Sequence, residues 1–313
     1  MRIALFTIHN LLACSHALFG YHDTLQRMGH KVFEFSFPGN AVQDAGAIAA
    51  RMPKISDLNQ MDAVLVTYAE YTNAWLAAIY GLDSWKGLHV PVIARYDESM
   101  DRADLNLPAR VPELKRWAQY HFFPGAQDAE KFDGRWLPFG AETKIFTPDP
   151  CSKVFDLAFI GSMYPQRADY LQRLAPHLKN KFQVGNAFVQ RLSGISEMES
   201  TVILAEEYRA IKVFFCLPPL SRLLVQKIYD VMSCGTFVMY PALTWDAAKN
   251  MEIFQHEKHL AYYQLGYFAD NAKQIQRFVA ADDERESIAR AGRDLVRSEY
   301  SLEKMLNTML SAV

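Results

Sequence analysis

Residues 2–8, "RIALFTI", form a short apolar run near the start of the chain. Apolar side chains then recur at helical spacing over residues 16–28, and "HKVFEFSF" (residues 30–37) is typical of a second buried strand. A strand, a helix and another strand in this order indicate a βαβ unit. Because such units join parallel strands, this stretch predicts an α/β fold with a doubly wound sheet.

The same alternation continues along the chain and is interrupted once. Periodicity is lost in "TKIFTPDPCSK" (residues 143–153), which contains two prolines and predicts an interdomain linker. The sequence therefore predicts two Rossmann-like domains, 1–147 and 148–313, and a last helix over 301–312. Further predicted strands are 61–68, 90–98, 120–125, 136–140, 155–162, 181–187, 212–218 and 236–240, and further predicted helices are 71–81, 166–179, 196–209, 271–280 and 283–298.

Composition narrows the class of protein. The 313 residues are 50% hydrophobic and 22% charged, enough for two ordinary cores, and 33 Lys+Arg against 35 Asp+Glu give a net charge of -2. Nothing in this balance favours a nucleic-acid partner. Cys14, Cys151, Cys216 and Cys234 are far apart in the sequence, so we predict small core residues and no metal site.

The N-terminal apolar run is shorter than the roughly 7–15 residues of a signal-peptide core and far below the ~20 of a membrane span. The sequence therefore predicts a cytoplasmic protein without a membrane span.

Two stretches of the second domain carry candidate ligand residues. In "DLAFIGSMYPQR" (156–167), Gly161 and Ser162 end a strand, where a glycine lets the backbone approach a phosphate, and Arg167 could clamp it. The alternative is an ordinary turn with a solvated arginine.

In "KIYDVMSCGTFVMY" (227–240), Lys227 and Asp230 stand three apart on a helix, and Gly235 allows a tight turn into the next strand. Asp230 falls off the apolar face formed by Ile228, Val231 and Met232. The pair is interpreted either as an i,i+3 ion pair or as donor groups, with Asp230 accepting from a ribose diol.

Three motifs in order resemble GT-B-type glycosyltransferases, most closely the group that includes CgeB-like, spore-maturation glycosyltransferases (glycosyl transferases group 1). They are "RWLPFGAETKIFTP", "DLAFIGSMYPQRADYLQRL" and "VQKIYDVMSCGTFVMYPALTWDAA…ERESIARAGRDLVRSEYS". The resemblance implies the GT-B fold, with two Rossmann-like domains facing across a cleft. The N-terminal domain would bind the acceptor and the C-terminal domain the nucleotide-sugar donor, and the last helix (301–312) would pack back on the first domain.

The resemblance also implies residue roles. Asp230 takes the place of the family's usual ribose-binding Glu, Lys227 and Arg167 would neutralise the diphosphate, and Gly161 and Ser162 would line its loop. Two positions depart from the family pattern: Asp230 is one methylene shorter than Glu, and Arg222 stands where many retaining relatives carry another Glu. Gly235 is counted with the donor-binding residues.

The first domain offers candidates for the acceptor wall. Asp97 ends the strand in "VIARYDESMD" and would orient an acceptor hydroxyl or act as a base, with an N-cap as the alternative and Glu98 as second choice. His9 and His22 flank the first strand–helix loop, where a histidine can serve as general base. The nearby aromatic residues, including Trp75 and Trp85, are interpreted as core.

The sequence thus predicts a glycosyltransferase that uses a nucleotide sugar, UDP-sugar above all, as co-substrate, with no permanently bound cofactor and no metal. Cations and helix N-termini would stabilise the leaving diphosphate. The acceptor is left open among a glycan, a protein, a small molecule and modified DNA. The stereochemistry is left open, although the resembled group leans towards retention. The alternatives are a nucleotide-sugar epimerase of the same fold, a non-catalytic nucleotide-sugar-binding protein and a phage-type enzyme that glycosylates modified DNA bases.

Overall fold

The computed structural model describes residues 1–8, 15–38, 45–81, 84–97, 111, 115–185, 197–218, 223–242 and 247–313. The chain divides into two compact units. Unit 1 comprises Met1–Pro138 together with Leu302–Val313, and unit 2 comprises Phe139–Ser301. Among the described residues, every helix is too short or too polar to span a lipid bilayer.

Unit 1 is built on six parallel strands in the order β2-β1-β3-β4-β5-β6. Each predicted strand of the first domain is present; the first has the predicted bounds and the other five are shorter. The strands are β1 (Arg2–Ile8), β2 (Lys31–Phe37), β3 (Ala63–Val66), β4 (Val92–Arg95), β5 (Tyr120–Phe123) and β6 (Arg135–Trp136). The helices are α1 (Ser15–Arg27), α2 (Ala45–Ala49), α3 (Ile55–Leu58), α4 (Ala69–Tyr80) and α5 (Ala126–Lys131), with a 3-10 turn at Ser84–Gly87.

The core of unit 1 is rich in aromatic side chains. Trp75 is fully buried and stacks on Phe37, and Trp85 stacks on Trp117. The interpretation of the aromatic cluster as core is confirmed. The C-terminal helix Leu302–Leu310 contributes apolar residues to this same core, among them Leu306.

Unit 2 is built on five parallel strands in the order β11-β10-β9-β7-β8. The strands are β7 (Phe155–Ile160), β8 (Phe182–Gly185), β9 (Ile211–Phe215), β10 (Phe237–Pro241) and β11 (Ala261–Tyr263). The helices are α6 (Pro165–Leu174), α7 (Glu197–Arg209), α8 (Gln226–Ser233), α9 (Ala247–Ile253), α10 (Phe268–Ala280) and α11 (Asp282–Glu299), with a 3-10 turn at Ala175–His177. Helix α12 (Leu302–Leu310) then belongs to unit 1.

Residues 139–147, which the sequence assigns to the first domain, group with unit 2 in the structure. The Ala141 amide donates to the Tyr300 carbonyl, and the Phe146 carbonyl accepts from the Ser233 hydroxyl at 2.6 Å. Arg297 donates to the carbonyls of Thr143 and Phe146. These hydrogen bonds hold residues 139–147 to the rest of unit 2. The boundary between the units therefore lies earlier in the chain than the proline-containing stretch 143–153 indicates. The predicted roles of the two domains stay predictions.

Both sheets reverse their strand order at one place. In unit 2 the chain passes from β7 outward to β8 and then returns to the other side of β7 as β9. The loops that follow the adjacent strands β7 and β9 therefore lead away from each other at the carboxyl ends of these strands. Open α/β sheets bind ligands at such a place. In unit 1 the corresponding place lies between β1 and β3.

Candidate active site

Gly161 follows β7 at the reversal of strand order and lies directly against Lys227. A Cβ atom at position 161 would stand 2.2 Å from the Lys227 Nζ atom and 3.0 Å from the Phe159 ring. The Lys227 ammonium group donates to the Ile160 carbonyl oxygen at 2.9 Å. Only a residue without a side chain lets the ammonium come this close to the loop.

Arg167 lies in the first turn of the next helix, α6, and donates hydrogen bonds to both loops at this edge. Its guanidinium donates to the Ser162 carbonyl at 2.6 Å and to the Pro218 carbonyl at 2.9 Å. The side chain is 5% exposed, so the solvated arginine of the alternative interpretation is wrong. Arg167 therefore fixes the loop after β7 to the loop after β9 and adds a positive charge there.

These contacts bring four of the predicted donor residues together at one sheet edge: Gly161, Ser162, Arg167 and Lys227. Helix α8 follows strand β9, so its first turn lies at the carboxyl end of the sheet. Lys227 reaches this edge because it stands in that first turn. Two cations beside a glycine-containing loop are a suitable arrangement for a phosphate group.

Asp230 lies one turn further along α8 and is 1% exposed. The expectation that it faces away from the packed surface is wrong. Gln226, Asp230 and Ser233 share one face of the helix, and the segment 139–148 covers that face, with the Gln226 amide donating to the Gly140 carbonyl at 2.9 Å and to Asp230 at 3.4 Å. Burial, together with the charge of Glu142, raises the pKa of Asp230 well above its ordinary value. The predicted ribose contact stays a prediction, and it requires an accessible carboxyl group that the structure does not present.

Gly235 adopts a left-handed backbone with φ 74°, and its amide donates to the Met232 carbonyl at 2.8 Å. The predicted tight turn from helix to strand is confirmed. However, Gly235 precedes β10, so it lies at the amino end of the parallel sheet, opposite to the edge that carries Gly161. The structure therefore does not bring Gly235 together with Gly161, and its assignment to the donor-binding residues stays a prediction.

Asp97 follows β4 and is enclosed by side chains of its own unit. Its carboxylate accepts from the Tyr68 amide at 2.9 Å, the Tyr21 hydroxyl at 3.2 Å and the Arg95 Nε at 3.3 Å. The Asp97 amide in turn donates to the buried Glu70 carboxylate at 3.3 Å. Burial raises the pKa of Asp97, and Arg95 and the Tyr68 amide oppose that shift.

The Asp97 carboxylate thus bonds the amide of the residue before helix α4, and the alternative that the sequence offers, a cap of the turn after Asp97, falls outside the described residues. Tyr68 has the left-handed backbone φ 48°, ψ 46°, which is costly for a residue with a side chain, and the Asp97 carboxylate bonds its amide. Its predicted catalytic role stays a prediction.

Of the remaining candidates of the first domain, the structure describes His22 alone. His22 lies within α1, not beside the loop, and its Nδ1 is 2.7 Å from the Glu34 carboxylate on β2. His9 and Glu98, like Arg222 of the second domain, lie outside the described residues. Within the described ranges, no three His, Cys, Asp or Glu side chains come together as ligands for a metal ion.

A protein-family model matches the C-terminal part of the chain. Residues 197–311 match the family model described as "Glycosyl transferase-like". The match contains Lys227 and Asp230, and it confirms the predicted enzyme class, a glycosyltransferase. No curated protein matches the sequence significantly.

The fold of the whole chain resembles that of several solved structures. HepE from Anabaena, solved with UDP and glucose, is 13% identical with a TM-score of 0.67 over 100% of both chains. Sucrose-phosphate synthase from Thermosynechococcus elongatus is 14% identical with a TM-score of 0.67, over 100% of this chain and 98% of that one. An alpha-glucosyltransferase solved with UDP and a mismatched 13-mer DNA is 12% identical with a TM-score of 0.71, over 100% and 99%.

These likenesses confirm the predicted fold class, GT-B with two Rossmann-like parallel-sheet domains, and the predicted resemblance to GT-B glycosyltransferases. The CgeB-like group within them stays a prediction.

Sequence reasoning missed two participants in this site. Phe159 lies beneath both cations, although the motif that contains it was recognised. Glu142, 2% exposed, raises the pKa of Asp230 from a different segment, and spacing gives no sign of this pairing because 88 residues of chain separate the two.

Proposed function

We propose that this protein transfers a sugar from a UDP-sugar to an acceptor hydroxyl, and that the donor diphosphate binds at the carboxyl end of β7. The observation that carries the proposal is the position of Lys227, whose ammonium lies 2.9 Å from the Ile160 carbonyl, against Gly161. The neighbours solved with UDP or UDP-glucose support a uridine nucleotide as the donor.

Charge is the physical reason for this placement. As the bond between the sugar and the diphosphate breaks, negative charge grows on the departing phosphate oxygen. Lys227 and Arg167 supply positive charge at fixed positions, and groups held in place before the reaction need no rearrangement when the charge develops. We propose that these side chains, and not a bound metal ion, offset that charge, and that the sugar is transferred with retention.

The test replaces Lys227 by methionine, which keeps the length of the side chain and removes its charge. We expect kcat/KM for UDP-glucose to fall by about 10²-fold, the cost of removing one preorganised donor at a developing anion. Turnover is measured by UDP release across a panel of glycan, protein, small-molecule and modified-DNA acceptors. The anomeric configuration of the product is read by NMR.

The matched control is Lys273→Met, which removes the charge of an exposed lysine that pairs with Asp270 on α10 of the same unit. Turnover by Lys227→Met at the level of this control would remove the diphosphate site from this edge. Loss of wild-type activity in EDTA would show that a metal ion carries the charge. Release of UDP with an epimerised sugar and no acceptor would identify an epimerase.

A further inference from the structure

The side chain beneath the two cations is Phe159, the last but one residue of β7. Its ring is fully buried, and it lies 4.8 Å from the Lys227 Nζ atom and 5.1 Å from the Arg167 guanidinium carbon, both measured from the ring centroid. A cation within about 6 Å of a ring centroid is attracted by the negative face of the ring. One aromatic ring therefore attracts both candidate phosphate-binding cations.

Two cations that share a ring also repel each other. Because both lie near one centroid, they are at most about 10 Å apart, the Debye length of ~0.1 M salt, and partial burial weakens the screening further. The described contacts of Arg167 that oppose this repulsion are two main-chain carbonyls and the rings of Phe159 and Tyr164, at 5.1 and 4.9 Å. The Phe159 ring is the element that both cations have in common.

The ring also sets where the ammonium lies along the loop. A Cβ at Gly161 would meet the Lys227 Nζ at 2.2 Å, the Phe159 Cζ at 3.0 Å and the Phe159 Cε1 at 3.3 Å. The ring, the ammonium and the glycine backbone thus form one packed group. Removing the ring would leave a cavity beneath the ammonium and lower its attraction to this place.

We propose that Phe159 is a positioning residue that holds Lys227 and Arg167 as a pair and thereby selects a diphosphate over a monophosphate. This inference rests on the proposed function, since it concerns the same site. Two cations fixed over one ring present two separate positive centres, which suits two linked phosphate groups better than one. The uridine part of the donor is not expected to depend on the ring.

The experiment measures the affinities of UDP, UMP and uridine by isothermal titration calorimetry on the full chain. In the wild type we expect UDP to bind more tightly than UMP, and UMP more tightly than uridine. Phe159→Leu keeps an apolar side chain without the ring, and we expect UDP affinity to fall by about 10-fold, the order of one desolvated cation–π contact. UMP affinity should fall less, and uridine affinity should stay unchanged.

The matched control is Phe214→Leu on the neighbouring strand β9. Phe214 is also fully buried, and its ring packs against Phe159, with centroids 6.0 Å apart, and against Tyr208. The control therefore removes a similar amount of core packing from the same sheet. An equal loss of UDP affinity in both variants would overturn the positioning role, because core packing alone would then account for it.

A second variant avoids the risk that leucine prevents folding. Fluorinated phenylalanines at position 159 weaken the negative face of the ring with little change in its shape, so UDP affinity should fall stepwise with each added fluorine. An affinity that does not change with fluorination would overturn the inference. If the wild type bound UDP no more tightly than uridine, the diphosphate site itself would fail, and the inference with it. If the wild type bound UDP more tightly than uridine and Phe159→Leu showed the same difference in affinity, only the positioning role of Phe159 would fail.

Discussion

The carboxyl ends of the two sheets use charged side chains in different ways. At the end of β4 in unit 1, Asp97 accepts hydrogen bonds from Tyr68, Tyr21 and Arg95. At the end of β7 in unit 2, Arg167 and Lys227 lie against carbonyl oxygens and the Phe159 ring, and Lys227 remains half-buried.

The same strand-end rule predicts a ligand group at both places, because open α/β sheets bind ligands at the carboxyl ends of their strands. The two places differ in the partners of their charged side chains, which are hydrogen-bond donors for Asp97 and carbonyl oxygens and an aromatic ring for the two cations. The hydrogen-bonding partners supplied by the rest of the unit decide whether a charged side chain at this edge is used internally.

The largest effect is expected in unit 1 from Asp97→Asn. Arg95 is fully buried, and the substitution removes the carboxylate that pairs with it. We expect the free energy of unfolding to fall by about 3 kcal/mol, at the lower end of the range for breaking a buried ion pair. Guanidinium denaturation measures this, and titration calorimetry should find an unchanged affinity for UDP.

The control for this variant is Asp62→Asn, which breaks the exposed pair with Arg2 and should lower the free energy of unfolding much less than Asp97→Asn does. Ordinary stability of Asp97→Asn with a loss of transfer of about 10²-fold or more would instead place Asp97 at the reacting centre.

The second largest effect is expected in unit 2 from Gly161→Ala. The added Cβ would meet the Lys227 ammonium and the Phe159 ring, and Gly161 has a positive φ of 155°, at which a side chain is strained, so we expect both the loop and the charge to move. A displacement of about 1 Å can cost 10²-fold in rate, and we expect a fall in kcat/KM for the UDP-sugar of about this size.

The matched substitution is Gly46→Ala in helix α2, where a Cβ meets nothing within 4 Å. Steady-state kinetics compare the two variants. If Gly161→Ala turned over as fast as Gly46→Ala, the close approach of Lys227 to the loop would have no catalytic consequence.

The smallest effect concerns the other buried acid, Asp230, and appears as a dependence on pH. Its folded pKa is raised by burial, so the folded state binds a proton that the unfolded state releases above about pH 4. The stability that this proton contributes is present below the unfolded pKa and is lost as the pH rises through the folded pKa, by at most about 1.4 kcal/mol per pH unit.

Asp230→Asn removes this titration. We therefore expect the stability of the variant relative to the wild type to increase between pH 5 and pH 8. Denaturation midpoints at several pH values measure it. Parallel curves for the two proteins would show that Asp230 titrates normally, and a large loss of uridine affinity in the variant would restore the ribose role.

Much of the fold was predictable from local sequence. The apolar runs at 2–8 and 155–162 give β1 and β7, and the alternation of strands and helices gives two parallel sheets, because both depend on side-chain periodicity within a few residues. Gly161, Lys227 and Arg167 could be selected for the same reason, since each stands beside the end of a strand or the start of a helix.

What the sequence by itself determined was therefore the parallel α/β class, the family resemblance and the cations of the candidate donor site. Tertiary structure alone decided the burial of the two acids and the position of the Phe159 ring beside both cations. Asp230 is buried because segment 139–148 covers its helix face, and Asp97 is enclosed by Tyr21, Tyr68 and Arg95. The physical reason is that burial and pairing arise from contacts between distant parts of the chain, and helical or strand periodicity carries no information about them.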